Sequence, residues 1–188
     1  MNTTVIGSNH NVLVTGGAGF IGSHLVETLV GTGASVVVLD NLSAGLPVNL
    51  AAVRDRIEFC EGDIRDREVV RALVERVEPA FVFHLAANAS VPGSVLAPRY
   101  DFETNNGGTF VLLDTLRLLG LKPRVILASS GAVYGEPAVF PITEHSLLAP
   151  ISPYGASKEG SEAIGRVFSK VYGIPVVIAR IFNTFGPR

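Results

Sequence analysis

The stretch Thr15–Gly22, with the sequence TGGAGFIG, decides the fold of this chain. It follows an apolar run at Val12–Thr15 that predicts a β-strand, and it precedes an amphipathic run at about Ile21–Thr32 that predicts a helix. Glycine permits the tight turn between them and lets an anion approach the backbone, while the free N–H groups of the helix N-terminus attract negative charge. The glycines fit both G-x-x-G-x-x-G and G-x-G-x-x-G, a spacing typical of dinucleotide-binding turns.

Further along the chain, short apolar runs alternate with longer amphipathic stretches. The other predicted strands are Val36–Asp40, Ile57–Cys60, Phe81–Leu85, Val125–Ser129 and Val176–Ile181. The other predicted helices are about Arg67–Val77, Phe102–Leu119 and Tyr154–Tyr172. Because these strands are apolar on both faces and alternate with helices, they predict an α/β fold: a Rossmann-type doubly wound parallel sheet with helices on both faces. The longest stretches without periodicity (41–53, 88–100 and 131–150) each follow a strand, where such sheets bind their ligands.

The composition excludes several classes of function. The 188 residues carry 15 Lys and Arg against 17 Asp and Glu, a formal charge of −2 that gives no attraction to nucleic acid or to anionic membranes. No run reaches the roughly eighteen apolar residues of a membrane span, and the start MNTTVIGSNH lacks the features of a signal peptide. The single cysteine, Cys60, is expected to be a buried packing residue, and the absence of a second one fits a reducing compartment. These features together predict a cytoplasmic protein.

The four histidines show no spacing suited to a metal site, so no metal is predicted. His84 ends a predicted strand and is expected to be a hydrogen-bonded core residue.

Two aspartates follow the glycine-rich turn. Asp40 closes the second predicted strand about twenty residues later, where a carboxylate can accept hydrogen bonds from both hydroxyls of an adenosine ribose. Since a carboxylate there repels a 2′-phosphate, Asp40 favours NAD over NADP. Asp63, in the segment Gly62-Asp63-Ile64, has two interpretations: an adenine neighbour, or the aspartate that caps the predicted helix Arg67–Val77.

A tyrosine and a lysine occur four residues apart in a predicted helix. Tyr154 and Lys158 therefore share one helical face. Lowering the pKa of a phenol by about three units takes roughly 4 kcal/mol, which a nearby ammonium together with an oxidised nicotinamide could supply. Ser130, after the fifth strand, could hold a substrate oxygen between itself and Tyr154. Behind a dinucleotide-binding turn, this set predicts an acid–base site.

Taken together, these motifs resemble those of the extended short-chain dehydrogenase/reductase family, in particular its nucleotide-sugar epimerases and dehydratases. The resemblance runs from about Val12 to Arg188, and its motifs occur in the family's order. They are TGGAGFIG at Thr15–Gly22, DNLSAG at Asp40–Gly45, GDIRD at Gly62–Asp66, HLAANASV at His84–Val91, SSGAVYG at Ser129–Gly135, SPYGASK at Ser152–Lys158 and RIFNTFGPR at Arg180–Arg188. This set is most similar to NAD-dependent UDP-sugar 4-epimerases.

The resemblance implies a role for each matching residue. Tyr154 would be the general base, Lys158 would lower its pKa and bind the nicotinamide ribose, and Ser130 would orient the hydroxyl that is oxidised. The implied substrate-binding residues are Ser130, Tyr154 and Asn183. The implied NAD-binding residues are Gly16, Gly19, Phe20, Ile21, Asp40, Asn41, Ser43, Asp63, Ile64, Leu85, Ala86, Ala87, Asn105, Tyr154 and Lys158. The implied reaction is epimerisation at C4 of a UDP-hexose through a transient 4-keto sugar.

One departure from the family pattern bears on the choice of reaction. Family 4,6-dehydratases commonly carry an Asp-Glu pair where this chain has Gly131 and Ala132, and related decarboxylases carry a Glu at the second of these positions. Their absence favours epimerisation. The ending RIFNTFGPR nevertheless resembles UDP-glucuronate decarboxylases, so that activity, or another dehydratase or dehydrogenase of the family, is the alternative.

The resemblance also implies how the chain is divided. Residues 1–11 would form an N-terminal extension, 12–182 the NAD-binding domain, and 183–188 the start of a substrate-binding region that is largely absent. Because the family usually continues well beyond this point, the chain by itself is expected to bind NAD and to turn over UDP-sugar poorly, as a non-catalytic module would. In this family the helices predicted at Phe102–Leu119 and Tyr154–Tyr172 form the four-helix bundle of a homodimer.

Overall fold

The sheet consists of parallel strands and spans the molecule. In residues 5–188, which the computed structural model describes, the strands are β1 Asn11–Thr15, β2 Ser35–Asp40, β3 Ile57–Glu61, β4 Phe81–His84, β5 Arg124–Ser130 and β6 Val176–Ile181. They lie in the order β3-β2-β1-β4-β5-β6, and each neighbouring pair is parallel. The order reverses between β1 and β4, so a crevice opens at their carboxyl ends. This arrangement confirms the predicted doubly wound fold.

Helices cover both faces of this sheet. They are α1 Phe20–Gly31, α2 Arg67–Val77, α3 Val91–Leu96, α4 Pro98–Phe102, α5 Gly108–Leu118 and α6 Pro153–Tyr172. Two 3₁₀ segments, Pro47–Arg56 and Gly131–Tyr134, and one π-helical turn, Glu103–Gly107, complete the helical structure of the described residues. None of these helices is long and apolar enough to cross a membrane.

The alternation of the strand residues builds two separate cores. Val12, Val14 and Val38 point to one face, where they pack with α1 and the 3₁₀ segment Pro47–Arg56. Leu13 and Leu39 point to the other face, where they pack with α2, α5 and α6. Because the central strands are buried on both faces, their continuous apolar sequence is explained.

The two edge strands differ from the prediction. In β3 and β6 most residues are half-buried or exposed, whereas the strands were expected to be apolar and covered throughout. Cys60 lies in β3 and is half-buried, so the expectation of a buried thiol is wrong. An edge strand has a neighbour on one side alone, and this explains the exposure.

Short helices occur in stretches that lack periodicity in the sequence. The 3₁₀ segment Pro47–Arg56 begins in one of these stretches, and helix α3 lies in another. A 3₁₀ segment has three residues per turn and α3 has only six residues, so neither shows the 3.6-residue pattern of a longer α-helix. The helix predicted at Phe102–Leu119 begins earlier, at Pro98, and contains the π turn Glu103–Gly107, through which helical backbone continues. Of the predicted extension 1–11, residues 1–4 lie outside the described residues.

Candidate active site and cofactor cleft

A cleft of about 1090 Å³ runs along the carboxyl ends of the central strands. Its volume suits a ligand larger than most drug-sized molecules. The structure brings nearly all predicted site residues to its wall: Gly16, Gly19, Phe20, Ile21, Asp40, Asn41, Ser43, Ile64, Leu85, Ala86, Ala87, Ser130, Tyr154, Lys158 and Asn183. Asp63 and Asn105 are the two predicted residues that do not line it. The predicted cofactor and catalytic residues therefore share one cavity.

The glycine-rich turn between β1 and α1 has no room for side chains. Gly16 has a φ of +73°, and a Cβ atom added to it would lie 2.6 Å from the amide nitrogen of Ala86. A Cβ atom on Gly22 would overlap the carbonyl oxygen of Gly16. Gly19 is the N-cap of α1, and no side chain accepts a hydrogen bond from the first N–H groups of this helix. This turn fits the pyrophosphate of a dinucleotide.

Asp40 is held by backbone N–H groups at the end of β2. Its Oδ2 accepts a hydrogen bond from the Ala18 amide at 2.9 Å, and its Oδ1 accepts one from the Leu42 amide at 2.9 Å. The carboxylate is thereby fixed between the glycine-rich turn and the segment after β2. Each oxygen keeps a further lone pair, so the carboxylate can still accept a ribose hydroxyl.

Asp63 lies beside Arg65, and it does not cap a helix. Arg65 donates two side-chain hydrogen bonds to it and Asn41 donates a third, and these bonds lower the pKa of Asp63 to about 2. Asp66 is the residue that caps α2, with bonds from the amides of Glu68 and Val69. The capping interpretation of Asp63 is therefore wrong, because the cap belongs three residues later. Its neighbour Ile64 lines the cleft.

The predicted catalytic residues lie at the other end of the same cleft. Tyr154 is in the first turn of α6, which the Ser152 hydroxyl caps, and Lys158 follows one turn later. Burial raises the pKa of Tyr154, contact with Ser130 opposes this, and Asp101 raises it further. Burial lowers the pKa of Lys158 to about 8. The protein groups by themselves thus do not produce the low tyrosine pKa that the sequence predicts, since burial outweighs the hydrogen bond with Ser130.

A buried polar cluster that the sequence reasoning missed supports this end of the cleft. Asp101, in α4, is fully buried and accepts hydrogen bonds from Asn88, Asn105 and Ser157. Its charge raises the pKa of Lys158 and opposes the effect of burial. Asn105 also bonds both backbone groups of Asn88, so its amide faces protein and not the cleft. The spacing of Asp101 and Asn105 by four residues was the signal available in the sequence.

A second missed cluster joins α6 to β5 and β6. Glu162 is fully buried and accepts hydrogen bonds from Ser129, Arg166 and Arg180. Arg180 also donates a bond of 2.6 Å to the hydroxyl of Tyr134, in the 3₁₀ segment that follows Ser130. The cluster therefore fixes the segment from Ser129 to Tyr134 against the helix that carries Tyr154.

His84 is a buried, hydrogen-bonded residue, as predicted. Its Nδ1 lies 2.7 Å from the Thr15 hydroxyl, and its Nε2 lies 3.1 Å from the Thr109 hydroxyl. Burial and, secondarily, the charge of Lys158 lower the pKa of His84 to about 3, so the ring is neutral. Throughout the described part of the chain, no group of three or more His, Cys, Asp or Glu side chains is arranged to hold a metal ion.

Gly131 and Ala132, which stand where related enzymes carry acidic residues, lie on the wall of the cleft. A Cβ atom added to Gly131 would lie 2.9 Å from the ring of Phe182, so a side chain there would require that ring to move. Ala132 lines the cleft with a methyl group. This part of the wall carries no acid.

Comparison with known proteins identifies the family. The GDP-mannose 4,6 dehydratase family model matches residues 13–188. A putative UDP-glucose 4-epimerase of Methanocaldococcus jannaschii is 39% identical over 94% of this chain and 57% of its own length. The crystal structure of Thermotoga maritima UDP-glucose 4-epimerase with UDP-glucose is 43% identical, with a TM-score of 0.90 over 95% of this chain and 57% of that one. That of Brucella ovis UDP-glucose 4-epimerase with NAD is 42% identical, with a TM-score of 0.87 over 93% of this chain and 52% of that one.

The match covers most of this chain and a little over half of each relative. The relative at 39% identity and the family model over residues 13–188 both show the family of this chain. The chain therefore belongs to the NAD-dependent epimerase/dehydratase family, the extended short-chain dehydrogenases/reductases.

Proposed function

We propose that this chain is the NAD-binding half of a UDP-hexose 4-epimerase. The observation that carries the proposal is that one cleft is lined both by the glycine-rich turn with Asp40 and by Ser130, Tyr154 and Lys158. NAD fits this cleft because the turn leaves its backbone uncovered and the carboxylate of Asp40 disfavours a 2′-phosphate. The relatives from Brucella ovis and Thermotoga maritima, solved with NAD and with UDP-glucose, support the same two ligands.

The residues of this chain would divide the chemistry between them. Gly16, Gly19, Phe20 and Ile21 would surround the pyrophosphate, and Asp40 would bind the adenosine ribose. When bound, NAD accepts a hydride from a sugar carbon and can return it to either face. Tyr154 would remove the proton of the 4-hydroxyl group, which Ser130 would orient.

Lys158 would stabilise the charged phenolate of Tyr154. The positive charge of an oxidised nicotinamide would add to it, and together they would offset the effect of burial on the pKa of this tyrosine. Asn183, on the wall of the cleft, would contact the diphosphate of the UDP-sugar.

The alternative activities need groups that this wall does not offer. Elimination of water by a dehydratase, and the proton transfer near C5 in a decarboxylase, would use an acid where Gly131 and Ala132 lie. The glycine and alanine at these two positions supply no acid. The UDP-glucuronate decarboxylase resemblance of RIFNTFGPR keeps that activity as the second candidate.

Two further features of the proposed protein are its assembly and its location. We propose a homodimer through α5 and α6, which carry exposed apolar side chains such as Phe110 and Val171. The cytoplasmic location is inferred from the single cysteine and stays a prediction.

Product analysis tests the proposed reaction. Because the chain superposes on the corresponding 57% of the Thermotoga maritima enzyme, it can be fused to the remaining C-terminal part of that protein. With NAD, we expect the fusion to interconvert UDP-glucose and UDP-galactose, followed by NMR, with no net NADH.

The Tyr154→Phe fusion is the matched control, since it removes one hydroxyl. We expect it to keep NAD and to lose at least about 100-fold in rate, as for loss of an acid–base group. Full activity of this variant would show that Tyr154 is not the base, and release of carbon dioxide from UDP-glucuronate would favour the second candidate.

A further inference from the structure

His84 lies directly before the wall of the cleft in the sequence, and the directions of its hydrogen bonds can be determined. The residue ends β4, directly before the segment Leu85–Ala87 that lines the cleft. Its ring lies between two hydroxyl groups, that of Thr15 at the end of β1 and that of Thr109 at the start of α5. The ring therefore connects three elements of the fold.

The Thr109 hydroxyl fixes where the ring carries its hydrogen. This hydroxyl lies 2.6 Å from the carbonyl oxygen of Asn105, which can only accept, so its single hydrogen is donated there. Towards His84 it can then only accept, at 3.1 Å, and Nε2 of the ring must be the donor. A neutral ring with hydrogen on Nε2 has a bare Nδ1.

On the Nδ1 side of the His84 ring, the Thr15 hydroxyl continues the same sequence of donors and acceptors. The bare Nδ1 of His84 requires this hydroxyl to donate, at 2.7 Å. Its oxygen in turn accepts the backbone N–H of Ala86 at 3.2 Å. The bonds thus run in one direction from the Ala86 amide through Thr15, His84 and Thr109 to the carbonyl group of Asn105, and every hydrogen is used once.

We propose that His84 is a positioning residue of the cofactor cleft, acting as the neutral Nε2–H tautomer that holds the Leu85–Ala87 wall against the glycine-rich turn and against Asn105. The proposal deepens the proposed function and rests on it. A ring that only filled space in the core would need neither of the two bonds that His84 makes, and phenylalanine would serve equally well.

The two ends of this series of hydrogen bonds contact both parts of the cleft. The backbone of Leu85 and Ala86 lies so close to Gly16 that no Cβ atom fits between them. At the other end, the side chain of Asn105 bonds Ser157, the residue before Lys158. A change in the His84 bonds would therefore move the glycine-rich turn relative to α6.

The tautomer is measured by NMR on the 188-residue chain without cofactor. The chain has four histidines, and a His84→Phe spectrum assigns the signals of this one. We expect a pyrrole-type ¹⁵N shift for Nε2 and a pyridine-type shift for Nδ1, unchanged from pH 7 to about pH 5, since burial and Lys158 oppose protonation. A hydrogen on Nδ1, or a charged ring within this range, would overturn the proposal.

The positioning role is measured by NAD affinity in a matched set of threonine variants. Thr109→Val removes the acceptor for Nε2, Thr109→Ser restores it, and Thr115→Val is the control at another buried threonine of α5. We expect Thr109→Val to weaken NAD binding about fivefold, the effect of about one net hydrogen bond, and the other two to stay within about twofold of the original chain.

The outcomes separate this proposal from the proposed function. Equal NAD affinity of Thr109→Val and the original chain would overturn the positioning role. Failure of the original chain to bind NAD would overturn the proposed function instead. The tautomer is measured on the unmodified ring, and the His84→Phe variant serves only to assign its signals.

Discussion

At the scale of single residues, Lys158 shows how a residue of the candidate site can cost stability. The side chain is 5% exposed, and burial of its ammonium group lowers its pKa from 10.5 to about 8. The unfolded chain therefore holds a proton between these two pH values that the folded chain has released. The free energy of unfolding should rise with pH in this window, and the full cost of the buried charge is present below pH 8.

Replacing Lys158 by methionine should therefore stabilise the fold. The change removes the buried charge and keeps a long apolar side chain, so we expect the Lys158→Met variant to gain about 3 kcal/mol at pH 7. This gain should shrink as the pH rises above 8. Urea denaturation at several pH values measures it, and Lys170→Met, at an exposed site of α6, serves as the control. A gain that does not depend on pH would contradict the explanation.

At the scale of elements, the Glu162 cluster joins α6 to the strand ends that carry the candidate site. Burial raises the pKa of Glu162, but the bonds from Arg180, Ser129 and Arg166 outweigh this and lower it, so the carboxylate is charged. Arg180 depends on this charge, and it also bonds Tyr134. The contact between α6, β5 and β6 therefore rests on a buried ion pair.

Removing the charge of Glu162 should loosen this junction. Because Glu162→Gln leaves Arg180 without its counter-ion, we expect a loss of about 3 kcal/mol in the free energy of unfolding. Chemical denaturation measures the loss, and Glu75→Gln, at an exposed position of α2, controls for the change of residue type. A loss below about 1 kcal/mol, typical of an exposed pair, would show that the cluster does not hold the junction.

The same elements show what the sequence could predict. All six strands and the turn at Thr15–Gly22 could be read from it, because buried strands and glycine spacing leave a local pattern. A cap of α2 by Asp63 was one of two interpretations of that residue, and Asp66 serves instead, since two aspartates three residues apart both fit a helix start. Glu162 escaped notice because two of its partners, Ser129 and Arg180, lie on other elements and come together with it only in the fold.

At the scale of the whole molecule, α5 and α6 leave apolar side chains in contact with solvent. Leu118 is 64% exposed and Val171 is 63% exposed, although both belong to helices whose other faces are buried. Exposed apolar surface of this kind is typical of an interface between protein chains. The proposed homodimer would cover it.

Charged substitutions on these helices test the dimer. A charge buried at an interface is costly, so Val167→Glu with Val171→Glu should give a monomer in analytical ultracentrifugation. The control is Val48→Glu, at an equally exposed position of the 3₁₀ segment Pro47–Arg56, which should leave the dimer unchanged. A monomeric original chain would contradict this interface. So would a dimer that the double variant Val167→Glu with Val171→Glu retains.

The central claim is that the cleft above the sheet binds NAD through the glycine-rich turn and Asp40. Isothermal titration calorimetry of the 188-residue chain with NAD and NADP tests it most directly. We predict that NAD binds at least about tenfold more tightly than NADP, and that Asp40→Asn removes this preference, since a charge repulsion of about 1.4 kcal/mol gives such a factor. Absence of NAD binding, or equal affinity for both dinucleotides in the original chain, would contradict the claim.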